Sequence, residues 1–176
     1  AKNLQKIHGG AITHIFYTNG FETYFWESDF YPPVKVYGFP TRDDLEWMQA
    51  RREIRWHLSV ELINPAIAGR DYQIAAIRAA LEGIEARRRK FLLFMATGTG
   101  KTRVAAGLVD VLIRARWAKR VLFLVDRIAL QDQALNAFKE HIPSTPRWPL
   151  EGDKEFVRNR RIYVATYPAM LNLIQN

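Results

Sequence analysis

The chain opens with short runs of alternating apolar and polar residues. Residues 11–28 read AITHIFYTNGFETYFWES, two β-rich runs that flank Asn19 and Gly20. Asn and Gly both tolerate positive φ angles, so the segment predicts a β-hairpin with a tight turn at these two residues. The aromatic residues of the strands are expected to pack in a core rather than to stack on bases. They are Tyr17, Tyr24, Phe25 and Trp26.

Proline and glycine interrupt the pattern after the hairpin, in the stretch YPPVKVYGFPTRDD. Thr41 followed by Asp44 resembles a capping box, so we expect a helix that begins there and runs to about Arg52. Asn64 and Pro65 mark another break. We therefore place a domain boundary near residues 53–64.

Beyond this break, helical and apolar stretches alternate, as is typical of an α/β domain with a parallel sheet. Apolar residues at three- and four-residue spacing, from Ile74 to Ile84, predict a helix over residues 71–89. The rest of the pattern predicts three buried strands and two further helices. These are the strand 91–95, the helix 101–115, the strand 121–125, the helix 128–141 and the strand 162–165.

Composition is that of an ordinary folded protein. The 176 residues include 26 Lys and Arg against 18 Asp and Glu, a net charge of +8 that favours a polyanionic partner such as nucleic acid. There is no cysteine, which excludes disulfides, thiolate metal sites and cysteine nucleophiles. No stretch approaches the roughly 20 apolar residues of a membrane span, so we expect a cytoplasmic protein with no membrane partner.

The most specific motif is MATGTGKT at residues 95–102, between the apolar run FLLFM and a predicted helix. Gly98 and Gly100 would let main-chain N–H groups face phosphates, while Lys101 could reach the β and γ phosphates. The hydroxyl of Thr102 could ligate Mg²⁺. The general phosphate-loop pattern has Gly where this chain has Met95. A glycine-rich turn without a ligand is the alternative interpretation.

The form ATGTGKT resembles motif I of superfamily 2 helicases and translocases, which tolerates a residue other than Gly at the first position. Upstream, Arg70, Tyr72 and Gln73 resemble that superfamily's R-x-Y-Q signature, which implies that Gln73 reads the adenine edge and Tyr72 packs near the base. An exposed helical glutamine is the alternative for Gln73. The resemblance implies ATP and Mg²⁺ as cofactors. The expected ATP contacts are Arg70, Tyr72, Gln73, Thr97, Gly98, Thr99, Gly100, Lys101, Thr102 and Arg103, with Lys101 and Thr102 as the catalytic pair.

Two later segments resemble DNA-contacting motifs. LVDRIALQDQ is similar to motif Ia of type I restriction motor subunits through Asp126, Arg127, Leu130 and Gln133, which implies that Arg127 contacts the DNA backbone. IYVATYPAM resembles motif Ib and implies a DNA contact by Thr166. Thr166 could equally cap the helix that Tyr167 begins, and one residue can do both.

The hairpin followed by YPPVKVYGFPTRDDLEWM resembles the region that joins nuclease and motor in type I restriction subunits. The fold class expected is α/β, with a partial RecA-like phosphate-loop domain preceded by a β-hairpin and helix. Residues 1–60 would end the nuclease domain and residues 61–176 would form an incomplete first RecA-like lobe. The acidic Walker B motif and a nuclease metal motif are not found. We therefore expect the fragment to be inactive alone.

The function implied by the resemblance is ATP-dependent translocation and cleavage of double-stranded DNA by a bacterial or archaeal type I restriction enzyme. Its partners would be the specificity and modification (methyltransferase) subunits. Two alternatives remain at this point. One is another superfamily 2 enzyme, such as a type III restriction subunit or a repair helicase. The other is a nucleic-acid binding module with a degenerate phosphate loop.

Overall fold

The computed structural model describes residues 14–27, 32–54, 57–150, 153, 155–157 and 159–175. The chain forms two compact units, residues 1–52 and 53–176. The α/β class predicted from the sequence is confirmed, because the first unit contains an antiparallel sheet and the second a parallel one. None of the helices in the described ranges is long and apolar enough to cross a membrane.

The first unit contains a three-stranded antiparallel sheet in the order β1-β2-β3. Strands β1 (His14–Thr18) and β2 (Thr23–Glu27) form the predicted hairpin, in the register that pairs Thr18 with Thr23. Strand β3 (Val34–Val36) was not predicted. Its three residues, between prolines and a glycine, are too few to show an alternating pattern.

The hairpin turn differs in detail from the prediction. Gly20 has a φ of 91°, but Asn19 is not among the residues with positive φ, so the expectation for Asn19 is wrong. Asn19 stabilises the turn through its side chain instead. Asn19 Oδ1 accepts hydrogen bonds from the main-chain N–H groups of Phe21 (3.0 Å) and Glu22 (2.8 Å). An asparagine that satisfies the loop N–H groups leaves only Gly20 in the left-handed region.

The strand aromatics divide between the two faces of this sheet, as alternation requires. Phe16 and Phe25 stack on one face with centroids 4.9 Å apart. Tyr17 and Tyr24 stack on the other at 5.2 Å, yet Tyr17 is 46% exposed. The expectation that Tyr17 lies in a core is therefore wrong, because Tyr17 lies next to the exposed hairpin turn of residues 18–21.

Helix α1 (Arg42–Ile54) begins at the predicted capping box. The hydroxyl of Thr41 accepts a hydrogen bond from the Asp44 N–H at 3.2 Å and donates to the Asp44 carboxylate at 2.8 Å. The first of these bonds satisfies a main-chain donor that the first helical turn would otherwise leave unpaired.

The second unit contains a parallel sheet and four α-helices among its described residues. The sheet has the order β4-β6-β5, with β4 (Val121–Val125), β5 (Arg147–Trp148) and β6 (Ile162–Thr166). The helices are α2 (Asp71–Glu85), α3 (Lys101–Arg114), α4 (Ile128–His141) and α5 (Tyr167–Gln175), preceded by the 3-10 helix η1 (Leu58–Val60). The predicted strands and helices from residue 101 onward are confirmed to within one residue.

Two apolar clusters hold this unit together. One includes Phe138 of α4 and Ile162 and Val164 of β6, all fully buried. The other joins η1 to α2 and α3 through Leu58, Ile77 and Val104. The segment before α2 is thus part of the core, which the sequence pattern did not predict.

Residues 91–95 do not form the predicted buried strand. Leu92 is 90% exposed and Phe94 is 96% exposed, and no strand of the described sheet pairs with them. Phe91 packs its ring against Gly83 of α2, and Met95 packs against the second apolar cluster. An apolar run becomes a strand only when a neighbour pairs with its main chain, and the described residues supply none.

Helix α2 ends at Glu85, four residues earlier than predicted. Arg87 has a φ of 63°, and the N–H of Arg88 bonds to the carbonyl of Gly83 at 2.9 Å. This is the hydrogen-bond pattern with which many helices terminate, usually with glycine at the positive φ. The apolar spacing that predicted the helix ends at Ile84, so it did not determine where the basic run leaves the helix.

Candidate nucleotide-binding site

The site is built on the loop of residues 96–100, which leads into α3. Gly98 has a φ of 81° and Gly100 a φ of 85°, angles at which a residue with a Cβ atom is strained. Between them the Thr99 hydroxyl donates to the Ala96 carbonyl at 2.7 Å. The two glycines thus adopt main-chain angles that residues with a Cβ atom rarely reach, and the Thr99 bond closes the loop between them.

Helix α3 begins directly after the loop. Its N-cap is Gly100, which has no side-chain oxygen with which to cap the helix. The N–H groups of the first turn are therefore available to an anion, and the helix dipole favours a negative charge at this position. Lys101 and Thr102 are the first two residues of the helix.

The ammonium group of Lys101 bends back over the loop. Its Nζ atom donates to the carbonyls of Ala96 at 3.2 Å and Met95 at 3.4 Å. Lys101 is exposed, so the ammonium group can exchange these two neutral acceptors for a phosphate, which makes a stronger charge-assisted hydrogen bond.

The first turn of α2 is bonded to the same loop. Gln73 Nε2 donates to the Thr99 carbonyl at 2.9 Å, and the Tyr72 hydroxyl donates to the same oxygen at 3.0 Å. Arg70 Nη1 in turn donates to the Tyr72 hydroxyl at 2.8 Å. The signature Arg70, Tyr72 and Gln73 is therefore one hydrogen-bonded group attached to the phosphate loop.

Gln73 is only 2% exposed, so the alternative of an exposed helical glutamine is wrong. Its Oε1 atom accepts the Arg70 N–H at 3.3 Å, which means that both ends of the amide bond to the main chain. A Cβ atom added at Gly100 would lie 2.6 Å from Gln73 Nε2. Contact with an adenine stays a prediction for Gln73, while its contact with the loop is observed.

A cavity of about 740 Å³ lies between the loop, β4 and α4. This volume is in the range of pockets that hold small-molecule ligands. The predicted residues that line it are Thr97, Gly98, Gly100, Lys101, Thr102 and Arg103. Arg70, Tyr72 and Gln73 do not line the cavity, because they contact the loop from the side of α2.

The two predicted DNA contacts lie at the carboxyl edge of the parallel sheet. Val125 of β4 is the register partner of Thr166 of β6, and Arg127 follows two residues after Val125. Arg127 is exposed, with its Nε atom 3.5 Å from the Asp126 carboxylate. The Thr166 hydroxyl accepts the Ala169 N–H at 3.4 Å and so caps α5. The fold brings Arg127 and Thr166 to adjacent strand ends.

Sequence reasoning missed one wall of the cavity. Asn136, Glu140 and His141 of α4 line it, together with Gln133 from the motif Ia resemblance. Gln133, Asn136 and Glu140 recur at spacings of three and four residues, which is the period of one helix face. A stripe of polar residues at the helical period could have indicated this wall of the cavity from the sequence. Among the described residues no group of three or more His, Cys, Asp or Glu is arranged to hold a metal ion.

Comparison with known proteins finds a matching family and several relatives. The family model described as "Type III restriction enzyme, res subunit" matches residues 66–176. The EcoKI endonuclease subunit of a type I restriction enzyme from Escherichia coli strain K12 is 49% identical over 71 residues, 40% of this chain and 6% of that protein. The EcoAI endonuclease subunit from Escherichia coli is 43% identical over 67 residues, 38% of this chain and 8% of that protein.

A solved structure described as a fragment of an HsdR subunit of a type I restriction enzyme from Vibrio vulnificus YJ016 also resembles the chain. It is 27% identical with a TM-score of 0.49, over 99% of this chain and 32% of that one. The matched regions span less than a tenth of the two curated relatives.

The fold and the loop define a helicase-like α/β domain of a restriction enzyme. The family model covers more than half of the chain, so this protein belongs to the family of restriction-enzyme res subunits. The predicted resemblance to type I restriction subunits is confirmed by the names of both curated relatives.

Proposed function

We propose that this chain supplies the ATP-binding part of the DNA-translocating subunit of a type I restriction-modification system. The observation that supports this most directly is the loop of Gly98 and Gly100 leading into an α3 N-terminus that has no side-chain cap. Membership of the restriction-enzyme family and relatives named as type I endonuclease subunits support the choice of system.

The phosphates of ATP would lie against the first turn of α3, within the cavity lined by Thr97, Gly98 and residues 100–103. Lys101 would leave the carbonyls of Met95 and Ala96 and pair with a phosphate oxygen. The available N–H groups and the ammonium group fit a polyphosphate, because both donate charge-assisted hydrogen bonds and neither can accept one. Thr97 would line the phosphate site, and Thr99 would hold the loop through its bond to the Ala96 carbonyl.

The base would lie on the α2 side of the loop. Tyr72 is 45% exposed and offers an aromatic surface, while Gln73 donates to the Thr99 carbonyl and would link a base contact to the loop. An adenine bound there would compete with the present bonds of the Gln73 amide. We therefore propose that Gln73 couples occupancy of the base site to the position of the phosphate loop.

Mg²⁺ would be held by the Thr102 hydroxyl and by phosphate oxygens. Thr102 is half-buried in the first turn of α3 and lines the cavity, so its hydroxyl fits a single oxygen ligand. The ion would neutralise charge on the phosphates. This chain's own groups would position the nucleotide through Lys101, Thr102 and the loop N–H groups.

At the carboxyl edge of the sheet, Arg127 and Thr166 would contact one strand of double-stranded DNA. A guanidinium group and a helix N-terminus are both suited to a phosphate, and adjacent strand ends bring the two together. The specificity and modification subunits of the same system are the proposed protein partners. Translocation and cleavage are proposed for the whole subunit.

The test is ATP hydrolysis by the natural protein that contains this sequence, with and without double-stranded DNA. We expect Lys101→Ala to reduce DNA-stimulated hydrolysis by roughly a hundredfold or more, the usual cost of losing a group that stabilises phosphate charge. Lys139→Ala, at an exposed position in the last turn of α4, is the control and should hydrolyse ATP at the unaltered rate. Equal activity of the two variants would contradict the proposal.

The Mg²⁺ assignment has its own test. Thr102→Val removes the hydroxyl at nearly constant volume and should raise the Mg²⁺ concentration needed for half-maximal hydrolysis. Thr102→Ser keeps the hydroxyl and should preserve the Mg²⁺ dependence. If valine and serine variants show the same Mg²⁺ dependence, the Thr102 hydroxyl is not a ligand.

A further inference from the structure

Basic residues are concentrated at the amino ends of the parallel strands. Val121 of β4 and Arg147 of β5 are both register partners of Ile162 of β6, so the three strands begin at one edge. Each is preceded by, or begins with, cationic residues. They are Arg116, Lys119 and Arg120 before β4, Arg160 and Arg161 before β6, and Arg147 in β5.

Direct contacts hold these groups beside one another. Arg161 Nε donates to the Lys119 carbonyl at 3.3 Å, and the Arg161 carbonyl accepts the Val121 N–H at 2.8 Å. The Arg161 N–H donates to the Pro146 carbonyl at 2.8 Å, next to Arg147. The main chain at Lys119, Arg147 and Arg161 therefore lies side by side across adjacent strands, which are spaced about 4.8 Å apart.

The C-terminal ends of α2 and α3 add further cations. Residues 87–90 read RRRK, and all four are exposed. Ile84 near the end of α2 and Trp117 just beyond α3 pack against the same apolar cluster, which places the two helix ends together. The set of ten residues, 87–90, 116, 119, 120, 147, 160 and 161, is called the amino-end basic edge.

Two of these arginines occupy strained main-chain positions. Arg87 has a φ of 63° and Arg116 a φ of 60°, and each follows the last turn of its helix. Glycine is the usual residue at such a position, because a side chain there is unfavourable. Strain of this kind is concentrated at functional positions, and both side chains here are exposed arginines.

Charge composition indicates the ligand. The loops 86–90 and 116–120 contain no Asp or Glu, whereas the connection between β5 and β6 carries Glu151, Asp153 and Glu155, and Arg160 Nη2 lies 4.0 Å from the Asp153 carboxylate. Eight of the ten residues are arginines, whose guanidinium fork matches phosphate oxygens in pairs. Favourable interaction with helix dipoles explains cations after α2 and α3, but not Arg147 in β5 or the two arginines that precede β6.

We propose that the amino-end basic edge binds the phosphate backbone of double-stranded DNA, as a second contact surface. It is separate from Arg127 and Thr166, which lie at the carboxyl ends of β4 and β6. The choice of DNA as the polyanion rests on the proposed function. Several guanidinium groups near one edge of the sheet suit the phosphates of a duplex, and such contacts are independent of sequence.

The experiment compares two double variants of the natural protein, each lacking two exposed cations. Arg88→Ala with Arg116→Ala alters the edge, and Arg42→Ala with Lys139→Ala is the matched control outside it. Binding to a fluorescent duplex of mixed sequence is measured by anisotropy over a range of salt concentrations. Each lost phosphate contact should reduce the magnitude of the slope of log affinity against log salt concentration by about 0.9. The magnitude should therefore fall by about 1.8 in the edge variant. The control should keep the wild-type slope.

Binding of a fluorescent ATP analogue is measured on the same proteins. The edge variant should bind it as the wild type does, whereas Lys101→Ala should lose it and keep its DNA slope. Failure of the ATP proposal is thereby separated from failure of this one. Arg116→Gly, which relieves the positive φ, gives a second edge variant if the double variant is less stable.

A salt slope equal to that of the wild type in the edge variants would overturn the proposal. Polyglutamate serves as a second probe, which stands for an acidic protein. If the edge variants bound the duplex as tightly as the wild type but bound polyglutamate more weakly, the proposal would also be overturned, and the edge would be assigned to an acidic protein. A lower slope in the edge variant alone supports a DNA contact at this surface.

Discussion

Gln73 Nε2 donates a 2.9 Å hydrogen bond to the main-chain carbonyl of Thr99, across 26 residues of sequence. The bond joins the first turn of α2 to the centre of the phosphate loop. Since Gln73 is buried, water cannot replace the bond if it is lost.

Gln73→Ala should therefore lower the free energy of unfolding by about 1–3 kcal/mol, the cost of leaving buried polar groups unpaired. It should also weaken ATP binding, because the loop would lose one of the two side-chain bonds that hold it. Among the described contacts, only the Tyr72 hydroxyl would still donate to the Thr99 carbonyl. Gln49→Ala, at an exposed position of α1, is the control. Urea denaturation and ATP titration measure the two effects, and equal stability of the two variants would contradict the role of the amide.

The two loop glycines should differ in their response to substitution. At Gly98 an added Cβ meets nothing within 4 Å, so Gly98→Ala introduces only the unfavourable positive φ, about 1–2 kcal/mol. At Gly100 the Cβ would also lie 2.6 Å from Gln73 Nε2. Gly100→Ala should therefore destabilise the protein more than Gly98→Ala does.

A double-mutant cycle tests that cause. When Gln73 is already alanine, Gly100→Ala should cost less than it does in the wild type, because the atom that it would meet is gone. Gly98→Ala should show no such coupling to Gln73→Ala. Additive losses for both glycines, measured by urea denaturation, would exclude the contact as the source of the difference.

Arg114 joins the end of α3 to the segment after η1. Its Nη1 atom lies 3.1 Å from the Glu61 carboxylate, and Nη2 donates to the Leu62 carbonyl at 2.7 Å. Glu61 is 8% exposed, so Arg114→Ala would leave a buried carboxylate without its cation. We expect a loss of roughly 1–3 kcal/mol, below the cost for a fully buried pair because Arg114 is partly exposed. Arg42→Ala, which breaks the exposed pair with Glu46, should cost less than about 0.5 kcal/mol by thermal denaturation.

Glu22 in the hairpin loop accepts hydrogen bonds from Lys35 Nζ at 2.6 Å and from the Tyr24 hydroxyl at 3.0 Å. The Lys35 bond is the main cause that holds the pKa of Glu22 below its ordinary value of 4.5. The same bond raises the pKa of Lys35 above 10.5. The stabilisation from this pair is thus present above pH 4.5 and is lost as the pH falls through the lowered pKa of Glu22. It is lost again as the pH rises through the raised pKa of Lys35.

Lys35→Met should return the pKa of Glu22 toward 4.5, as followed by carbon-detected NMR of the carboxyl group. The Tyr24 bond remains in that variant and should keep part of the shift. Arg42→Met, which removes a cation from α1, should leave the Glu22 titration unchanged. An unaltered Glu22 pKa in Lys35→Met would show that the ion pair is not formed in solution.

The candidate site was largely predictable from the sequence because its signals are local. Gly98, Gly100, Lys101 and Thr102 are adjacent in the chain, and their chemistry depends on main-chain angles and a helix start that neighbouring residues decide. The Thr41 cap and the helices α3 and α4 were predictable for the same reason. Apolar spacing along ten or more residues determines a helix and its buried face.

Tertiary structure decided what depends on distant partners. The burial of Gln73 follows from its bond to Thr99, and the exposure of Leu92 and Phe94 follows from the lack of a pairing strand among the described residues. Neither can be read from local periodicity, because strand pairing and side-chain burial are properties of the neighbours that the fold supplies. The amino-end basic edge has the same origin. Its arginines are scattered between residues 87 and 161, and only the parallel sheet brings Arg116, Arg147 and Arg161 to one side of the protein.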